Sequence, residues 1–417
     1  MNMLRANLAT SAPIAESKSA KVLLVTAYHW PTTTRLALAL SEAGLTVDAL
    51  CLAGHSLAKV KFVSTVHRYR PLLPLRSFRQ AIAASKPDLL IPSDDTVAAQ
   101  LHELYQQQRP TDPTGERIRS LIENSLGEPT NYPVFYSRTQ IASVAQRAGV
   151  LSPETIKIDS RRELLNQLET IGLPAVIKTD GSFGGLGVAI VGTKQDAERA
   201  FDKLNAYHGI TRAMKRLVIN RDANLILPCL QGPRTQLSLQ RLIVGKRVNS
   251  AVACWKGTIL AQVCVEVVAS NDATGPATVV RIISHPNMSQ AVERLVRAFN
   301  LSGLCGFDFI EDSTDQSVYL IDFNPRATQT CFLLSYEGVQ PVAALAAKLQ
   351  ALPPPIADYS APKRGPIVLF PHWLGNYSQY PDIDPPTRSD DLVRIGLEFQ
   401  RQQNRFLVKA FQRAKNK

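Results

Sequence analysis

Two short segments alternate apolar and polar residues, and this alternation is the strongest constraint on how the chain folds. The first is Gly306-Phe-Asp-Phe-Ile310 and the second is Tyr319-Leu-Ile-Asp-Phe-Asn-Pro-Arg326. Because successive side chains of a strand point to opposite faces, Asp322 and Asn324 share one face, and Asp308 points away from its two phenylalanine neighbours. The polar stretch between the segments predicts a turn. We therefore expect two strands side by side, on which two carboxylates and an amide converge.

Carboxylate and amide oxygens form a ligand set suited to Mg²⁺, which takes one or two carboxylates and completes its octahedron with phosphate oxygens and water. The same alternation describes an ordinary half-exposed strand, so neither strand alone distinguishes the two interpretations. Arg326, directly after Asn-Pro, adds a fixed cation with a planar donor fork. Together these residues favour a nucleotide-phosphate site, with Asp308, Asp322 and Asn324 as the predicted metal ligands.

A glycine-rich loop is the second strong feature, in the segment Lys178-Thr-Asp-Gly-Ser-Phe-Gly-Gly-Leu-Gly-Val188. A lysine ends one apolar run and Val188 begins another, so the pattern predicts a strand, a glycine-rich turn and a second strand. Glycines let backbone N–H groups approach phosphate oxygens closely, and Lys178 can neutralise phosphate charge. The loop is not a Walker A sequence, because a strand follows it where a helix would be required. A plain turn is an equal alternative for the loop taken alone.

Length and composition bound the class of protein. With 417 residues, of which 45% are hydrophobic and 20% charged, the chain predicts two or three globular domains. No apolar run approaches the roughly 18 residues that cross a bilayer, so we expect no membrane span. The six cysteines form no CxxC pair, which favours buried thiols in a reducing cytoplasm.

The net charge of +12 is compatible with a nucleic acid, an anionic lipid or an acidic small molecule such as ATP as a partner. The sequence has no nucleic-acid-binding motif and no interleaving of aromatic and basic residues, so we expect no nucleic-acid partner. Part of the charge recurs near helical spacing between Arg401 and Lys417. This segment predicts a helix whose basic face is solvated or contacts a partner.

The beginning of the chain alternates strand-like and helical segments. Apolar strands are predicted at 21–26, 46–52 and 88–92, with helices at 33–43 and 75–85 between them. This order is typical of a parallel α/β domain. Its first turn lacks GxGxxG, so a dinucleotide is not indicated.

Ligands of parallel α/β sheets bind beyond the carboxyl ends of the strands. In this chain that position predicts a crevice lined by His29, Trp30, Ser93, Asp94 and Asp95. Asp94 and Asp95 serve equally well as residues at a helix N-terminus, where the macrodipole favours negative charge.

The middle of the chain is predicted to be α+β. A polar stretch at 106–133 predicts a domain boundary, and a helix follows at 137–149. Later strands are expected to be antiparallel, at 236–244, 249–254, 258–268 and 278–283. Turns are expected at Gly245-Lys246 and Lys256-Gly257.

The order of these motifs resembles that of the ATP-grasp superfamily, in its carboxylate-amine (or thiol) ligase branch. The matching elements are Arg138, Lys178, the glycine loop, a hinge near residue 228, Asp308 and the run Asp322-x-Asn324-x-Arg326. The resemblance implies an N-terminal α/β parallel-sheet domain followed by a two-lobed α+β ATP-grasp domain. The implied organisation is a flexible tail (1–20), an N-terminal domain (21–130), an ATP-grasp domain (131–350, with a small lobe at about 152–230 and a large lobe at about 231–350) and a C-terminal extension (351–417).

The resemblance also implies an ATP site between the two lobes. Arg138 and Lys178 match phosphate-contacting residues of the family. Pro228 and Leu230 match the hinge carbonyl and N–H that read adenine, a role that proline can fill because it keeps its carbonyl. The loop that covers the phosphates is matched by Ser182, Gly184, Gly185 and Gly187.

The implied metal ligands are Asp308, Asp322 and Asn324, and Arg326 matches an arginine aimed at the acyl phosphate. Arg281, at the end of a predicted strand, is a second catalytic candidate, with an exposed strand-end arginine as the alternative.

The hinge departs from the family pattern in one respect. Its acidic positions, which bind ribose in relatives, are replaced here by Leu, Pro, Gln, Arg and Thr. Glu266 or Gln236 could take the ribose role, and each could equally be a plain strand residue.

The resemblance implies an ATP-dependent ligase. Such an enzyme activates a small-molecule carboxylate as an acyl phosphate, joins it to an amine, and releases ADP and phosphate. The implied cofactors are ATP and two Mg²⁺ ions, which Mn²⁺ could replace, and a homodimer is compatible with the resemblance. The alternatives are a small-molecule kinase on the same fold and a non-catalytic ATP-binding sensor.

Overall fold

The computed structural model describes residues 19–180, 187–205, 236–270, 272, 274–356, 365–372, 382–383 and 389–415. Within these ranges the chain forms three sheets with helices packed against them. Short 3-10 turns occur at Ser56–Lys59, Pro129–Asn131 and Val134–Tyr136.

The first sheet is entirely parallel and confirms the predicted α/β domain. It has the strand order β3-β2-β1-β4, and β1 pairs with both β2 and β4. Its central strands are buried on both faces because helices cover them, as their continuous apolar sequences require. The strands are β1 (Lys21–Val25), β2 (Thr46–Cys51), β3 (Thr65–Arg68) and β4 (Leu89–Pro92), and the helices are α1 (Thr32–Glu42), α2 (Pro74–Ser85) and α3 (Asp95–Gln107).

The polar stretch expected to separate the domains contains a packed helix, α4 (Pro113–Leu126). The helix begins at the N-cap Asp112 and buries Ile118 and Ile122. The buried Ser125 hydroxyl accepts a hydrogen bond from the backbone N–H of Leu90, at 2.9 Å. Because β4 is an edge strand, α4 provides a partner for a backbone donor that the sheet leaves unpaired. The sequence did not reveal this, since the polar face of α4 resembles a linker.

The second sheet is antiparallel and has the order β5-β8-β6-β7. Helices α6 and α7 bury an apolar core against it, around Leu164, Leu168 and Phe201. The strands are β5 (Thr155–Ile158), β6 (Ala175–Thr179), β7 (Val188–Val191) and β8 (Leu237–Arg241); the helices are α6 (Arg161–Ile171) and α7 (Lys194–Asn205), and α5 (Arg138–Arg147) precedes the sheet.

The position of β8 corrects two expectations. It lies between β5 and β6, although the sequence analysis assigned residues after 230 to the large lobe. The expected hairpin at Gly245-Lys246 is also absent, because the next strand, β9 (Gly245–Trp255), belongs to the third sheet. A Cβ on Gly245 would lie 1.9 Å from the carbonyl oxygen of Glu311. The glycine therefore permits a close approach of strands and does not form a turn.

The third sheet has the order β13-β12-β9-β10-β11-β14-β15. The expected turn at Lys256-Gly257 is confirmed, since both residues have positive φ and join β9 to β10 in an antiparallel pair. The further strands are β10 (Thr258–Ser270), β11 (Ala277–Ile282), β12 (Gly303–Asp312), β13 (Val318–Asn324), β14 (Ile367–Val368) and β15 (Asp382–Ile383). The remaining helices are α8 (Pro286–Ala298), α9 (Pro341–Leu349) and α10 (Asp390–Lys415).

The apolar cores show which parts of the molecule are packed together. One apolar cluster joins Leu101 and Ile122 of the N-terminal part to Val252 and Phe307 of the third sheet, whereas the second sheet has a core of its own. The N-terminal part and the third sheet are therefore packed as one unit, with the second sheet facing them. In the part of the chain that the structure describes, no helix combines the length and apolarity needed to cross a bilayer.

Candidate active site

A cavity of about 720 Å³ lies where the three sheets meet. Its lining includes Lys178 of β6, Asp308 of β12 and Asp322 of β13. Ser93 and Asp95, at the carboxyl end of β4, line it from the N-terminal part. The cavity is therefore formed by all three parts of the fold.

The predicted strand pair is present, and its acidic residues meet. Strands β12 and β13 are antiparallel, with Asp308 directly opposite Asp322 and Gly306 opposite Asn324. The Asn324 amide donates a hydrogen bond to Asp308 Oδ2, at 3.1 Å. Burial, reinforced by the charge of Asp322, raises the pKa of Asp308 to about 6. Two carboxylates and an amide thus face the cavity, as the alternation predicted.

Arg138 lies beside this pair and is almost fully buried. Its Nη2 donates to Asp322 Oδ2, at 3.2 Å, and its Nη1 donates to the Thr179 carbonyl. Its Nη1 also lies 3.8 Å from Asp180 Oδ1. Its Nε is buried without a hydrogen-bond partner among the described residues. One guanidinium therefore connects the start of the glycine loop to the acidic pair.

Asp180 is a residue of this site that sequence reasoning missed. Burial raises the pKa of its carboxyl even though Arg138 opposes that shift. Its backbone N–H also bonds to the Gln236 carbonyl, at 2.9 Å. The only signal in the sequence was its place in the Thr-Asp-Gly start of the loop.

Lys178 reaches from β6 across to β13. Its Nζ donates to the Ile321 carbonyl, at 2.9 Å, and the side chain is 5% exposed. Burial lowers the pKa of Lys178 to about 8. The negative charge of Asp322 opposes this shift, and the positive charge of Arg138 adds to it. A protonated amine carries a full positive charge and three N–H donors, of which the Ile321 carbonyl takes one, so the charged form is the one suited to bind phosphate oxygens.

Arg326 is held at the junction with the N-terminal part. Its Nε donates to Asp95 Oδ2 at 2.9 Å, and its Nη2 donates to Asn324 Oδ1 at 3.0 Å. Although burial opposes the change, the Asp95 carboxylate raises the pKa of Arg326. The next backbone N–H, of Ala327, bonds to the Pro92 carbonyl at 3.0 Å. The N-terminal part therefore positions the arginine that follows the acidic pair.

The expected N-terminal crevice is present in part. Trp30, Ser93 and Asp95 line the cavity, whereas His29 and Asp94 do not. Asp94 is the N-cap of α3 and accepts the Val97 N–H at 2.9 Å. Of its two interpretations, the helix N-terminal one describes its contacts.

Arg281 is not brought to the cavity, and the strand register gives the reason. Arg281 pairs with Glu266, which pairs with Val248 on the next strand. Val248 in turn pairs with Phe309, and residues paired directly opposite share a face. Arg281 therefore lies on the face opposite to that of Asp308. Its Nη1 donates to Glu266 Oε2 at 2.7 Å, so the interpretation as an exposed strand-end arginine describes its contacts, and Glu266 lies away from the cavity as well.

Several predicted ATP contacts lie outside the described residues. These are Ser182, Gly184, Gly185, Pro228 and Leu230. Gly187 is described, and its carbonyl accepts a hydrogen bond from the Thr179 N–H at 2.8 Å. This bond closes the base of the loop between β6 and β7. Gln236 donates to the carbonyl of its neighbour Leu237, at 3.0 Å.

Two further residues of the cavity face were missed from the sequence. Asn249 pairs with Asp308 across β9 and β12, and both line the cavity. Arg247, two residues earlier on the same face, donates to Ser270 Oγ at 3.2 Å and to the Gly275 carbonyl at 2.8 Å. The alternation of β9 could have identified both residues, had its pairing with β12 been known.

The acidic pair fits a Mg²⁺ ion. Among the described residues, no group of three or more His, Cys, Asp or Glu side chains is placed to hold a metal ion by itself. Two carboxylates and an amide are a set that Mg²⁺ completes with phosphate oxygens and water. Two facing carboxylates repel each other, which contributes to the raised pKa of Asp308, and a divalent cation would remove that repulsion.

A cleft between a small antiparallel sheet and a larger one, with this polar set at its base, defines a class of nucleotide-binding proteins. The chain belongs to the ATP-grasp superfamily: residues 137–351 match the family described as carbamoyl-phosphate synthase L chain, ATP binding domain. The structural neighbours below agree with this assignment.

Among curated relatives, the carbamoyl phosphate synthase large chain of Vibrio parahaemolyticus is 24% identical over 216 residues. The match covers 51% of this chain and 18% of that protein. The two therefore share a domain, and the chain spans less than a fifth of that relative's length.

Two solved structures show the same fold over most of the chain. The carboxyaminoimidazole ribonucleotide synthase from Aspergillus clavatus, complexed with ATP, superposes with a TM-score of 0.59 at 14% identity, covering 84% of this chain and 80% of that one. The L-amino acid ligase from Bacillus licheniformis superposes with a TM-score of 0.52 at 13% identity, covering 79% and 74%. At these identities the likeness establishes the fold.

Proposed function

We propose that the protein is an ATP-dependent ligase that activates a small-molecule carboxylate as an acyl phosphate, joins it to an amine, and releases ADP and phosphate. One observation carries the proposal: Asp308, Asp322 and Asn324 converge in one cavity with three basic side chains, the buried Lys178 and Arg138 and the half-buried Arg326. Phosphoryl transfer needs positioned positive charge around the phosphates more than it needs covalent chemistry from the protein.

In this proposal each polar residue has one task. Asp308, Asp322 and Asn324 would hold Mg²⁺, which would supply positive charge to the phosphates. Two ions are proposed, which Mn²⁺ could replace. Lys178 and Arg138 contact the phosphates, a role that suits the buried Nε of Arg138. Arg326 stabilises the charge that develops on the transferred phosphoryl group.

The family pattern supports the remaining contacts of ATP. We propose that Ser182, Gly184, Gly185 and Gly187 cover the phosphates and exclude water, and that main-chain groups of Pro228 and Leu230 read adenine. We also propose that the ATP-grasp domain spans 131–350, flanked by the N-terminal domain and the C-terminal extension. A cytoplasmic location and a homodimer complete the proposal.

The experiment is a screen of carboxylate and amine pairs, including pairs of amino acids, for ADP and phosphate release with Mg²⁺. A ligase releases phosphate only when both substrates are present. A kinase would accumulate a phosphorylated product with the first substrate alone, and a sensor would bind ATP without turnover. Either of those outcomes would contradict the proposal.

The Asp322→Ala variant tests the site itself. It should abolish turnover, because the metal loses a carboxylate and Arg138 loses its 3.2 Å acceptor. Asp315→Ala is the matched control, because Asp315 is exposed in the turn between the same two strands. Full turnover by Asp322→Ala would show that the metal assignment is wrong.

A further inference from the structure

The C-terminal segment of the chain contributes to the cavity although it lies outside the matched family domain, which ends at residue 351. Strand β14 pairs with β11, and the Leu369 N–H bonds to the Thr278 carbonyl at 2.9 Å. The residues that follow, Pro371 and His372, line the cavity, and Phe399 of α10 lines it as well. A segment that lies outside the matched residues 137–351 therefore forms part of the cavity wall.

Helix α10 is anchored to the N-terminal part directly before Phe399. Leu392 and Ile395 are buried in a core cluster that also contains Leu36 and Phe332. The Lys59 ammonium lies 3.0 Å from Glu398 Oε2. These contacts hold Phe399 in place. Its ring packs edge-on against the ring of His372, with the two ring centroids 6.3 Å apart. Phe399 and His372 are thus packed against the rest of the fold.

The wall continues as an apolar surface onto the N-terminal part and onto the segment that follows β13. Leu36 and Phe332, which are 4% and 2% exposed, line the cavity together with the half-buried Trp30. We call this surface the apolar wall, formed by Trp30, Leu36, Phe332, Pro371 and Phe399.

Few charged side chains line the cavity beside the apolar wall, since the Arg35 guanidinium, 4.1 Å from the centroid of the Phe332 ring, is not among the lining residues. Of the cavity residues that the N-terminal and C-terminal parts supply, Asp95 is the one with a full charge, and it is paired with Arg326. Burial lowers the pKa of His372, so its imidazole is neutral at physiological pH. Within the described residues, these two parts therefore offer a substrate no cation with which to hold a phosphate group.

Arg326 contacts Asn324, next to the acidic pair, and Asp95 of the N-terminal part, and it lines the same cavity as the apolar wall. Because the proposed function gives Arg326 the transferred phosphoryl group, it also places the reacting carboxylate beside Arg326. The rest of that acid then extends toward the apolar wall.

We infer that the acid substrate of this enzyme carries an aromatic or branched aliphatic group, which packs against the apolar wall, and that Phe399 is a specificity-determining residue. The inference rests on the proposed ligase function and names the substrate class for the same site. Binding of an apolar group there removes its surface from water together with that of the wall. Phosphorylated and dicarboxylic acids are disfavoured, because their second negative charge would lie against the apolar wall, whose own residues carry no cation.

The experiment is isothermal titration calorimetry of the full chain saturated with Mg²⁺ and ADP. The apolar acids are phenylalanine, leucine and phenylacetate, and the polar acids are aspartate, succinate and phosphoserine. We expect the apolar acids to bind about tenfold more tightly than the polar acids. Equal or tighter binding of the polar acids, or failure of every apolar acid to bind, would overturn the inference.

The variant Phe399→Ala should weaken the apolar acids by about tenfold and leave ADP affinity unchanged, and Phe399→Leu should restore most of the loss. Gln402→Ala, at an exposed position of the same helix, is the control. Unchanged affinity for the apolar acids in Phe399→Ala would refute the role of Phe399, as would an equal loss for both groups of acids.

The outcome separates the inference from the ligase proposal. Selective binding of apolar acids without ADP and phosphate release, with any amine, would refute the ligase and leave the apolar wall standing. Turnover of polar acids alone would refute the substrate class and leave the ligase standing.

Discussion

The Asp308→Asn variant separates what the acidic pair does for stability from what it does for metal binding. Asp308 lies directly opposite Asp322, and like charges that face each other across a strand pair destabilise the sheet. An asparagine at 308 has nearly the same shape and still offers an oxygen to the Asn324 amide. We therefore expect the metal-free variant to be more stable than the wild type.

The magnitude follows from the pKa of Asp308. Burial and Asp322 raise that pKa from 3.8 to about 6 in the folded protein. A raised carboxyl pKa means that ionisation costs more in the folded than in the unfolded state, so stability falls as pH rises from 3.8 to about 6. The full difference corresponds to about 3 kcal/mol. Because solvent screens a half-buried carboxylate, we expect a gain of about 1–3 kcal/mol above pH 6, shrinking toward zero as pH approaches 4.

The assay is urea unfolding in EDTA at pH 8 and at pH 4.5, repeated at pH 8 with Mg²⁺ and ADP. The ligands should stabilise the wild type by mass action and the variant much less. Asp322→Asn is the comparison, because Asp322 accepts a hydrogen bond from Arg138 and its neutralisation should bring no gain. Lower stability of Asp308→Asn in EDTA at pH 8, or full stabilisation of it by Mg²⁺ and ADP, would refute the reasoning.

Three further predictions test the surrounding structure. Asp95→Ala should lower kcat by about tenfold or more, because Arg326 Nε loses its charged acceptor at 2.9 Å. Steady-state kinetics checks this, with Asp95→Glu as the conservative control, and an unchanged kcat in Asp95→Ala would contradict it. Burial lowers the pKa of His102 from 6.5 to about 3. As pH falls below 6.5, the unfolded state therefore binds a proton that the folded state does not, and stability is lost. At about pH 5.5 this loss of stability is about 1.4 kcal/mol. In His102→Phe, urea unfolding should show a pH dependence smaller by that amount, and an unaltered dependence would count against it. Gly303→Ala should lower the free energy of unfolding by about 2 kcal/mol or more, because φ is +83° and the new Cβ would lie 2.1 Å from a backbone oxygen of α4. Gly54→Ala is the control, with φ +78° and open space around it, and it should lose clearly less stability in thermal unfolding. Equal losses in the two variants would contradict the prediction.

Features with a local cause were predicted from the sequence. The alternation in β12 and β13 placed Asp308, Asp322 and Asn324 on one face because a strand has a period of two. The positive φ at Lys256 and Gly257 followed from turn chemistry. Lys178 at the end of β6 followed from the apolar run before it. None of these features needs information from a distant part of the chain.

The tertiary structure decided how those segments meet. The pairing of β8 with β5 and β6 joins residues far apart in sequence, so the hairpin signal before β9 was misleading. The face of Arg281 depends on a register that runs across four strands, which the sequence of β11 alone does not contain. Sequence periodicity describes one element at a time, whereas register and sheet order follow from the packing of many.

The site shows the same division. By itself, the sequence determined the phosphate-binding residue types and their order, because those depend on strand period and on the chemistry of Mg²⁺ and phosphate. Only the tertiary structure decided that Asp95 would hold Arg326 and that Phe399 would line the cavity. Both features bring together residues that lie far apart in the sequence. They exist because apolar faces of distant segments are buried in shared cores.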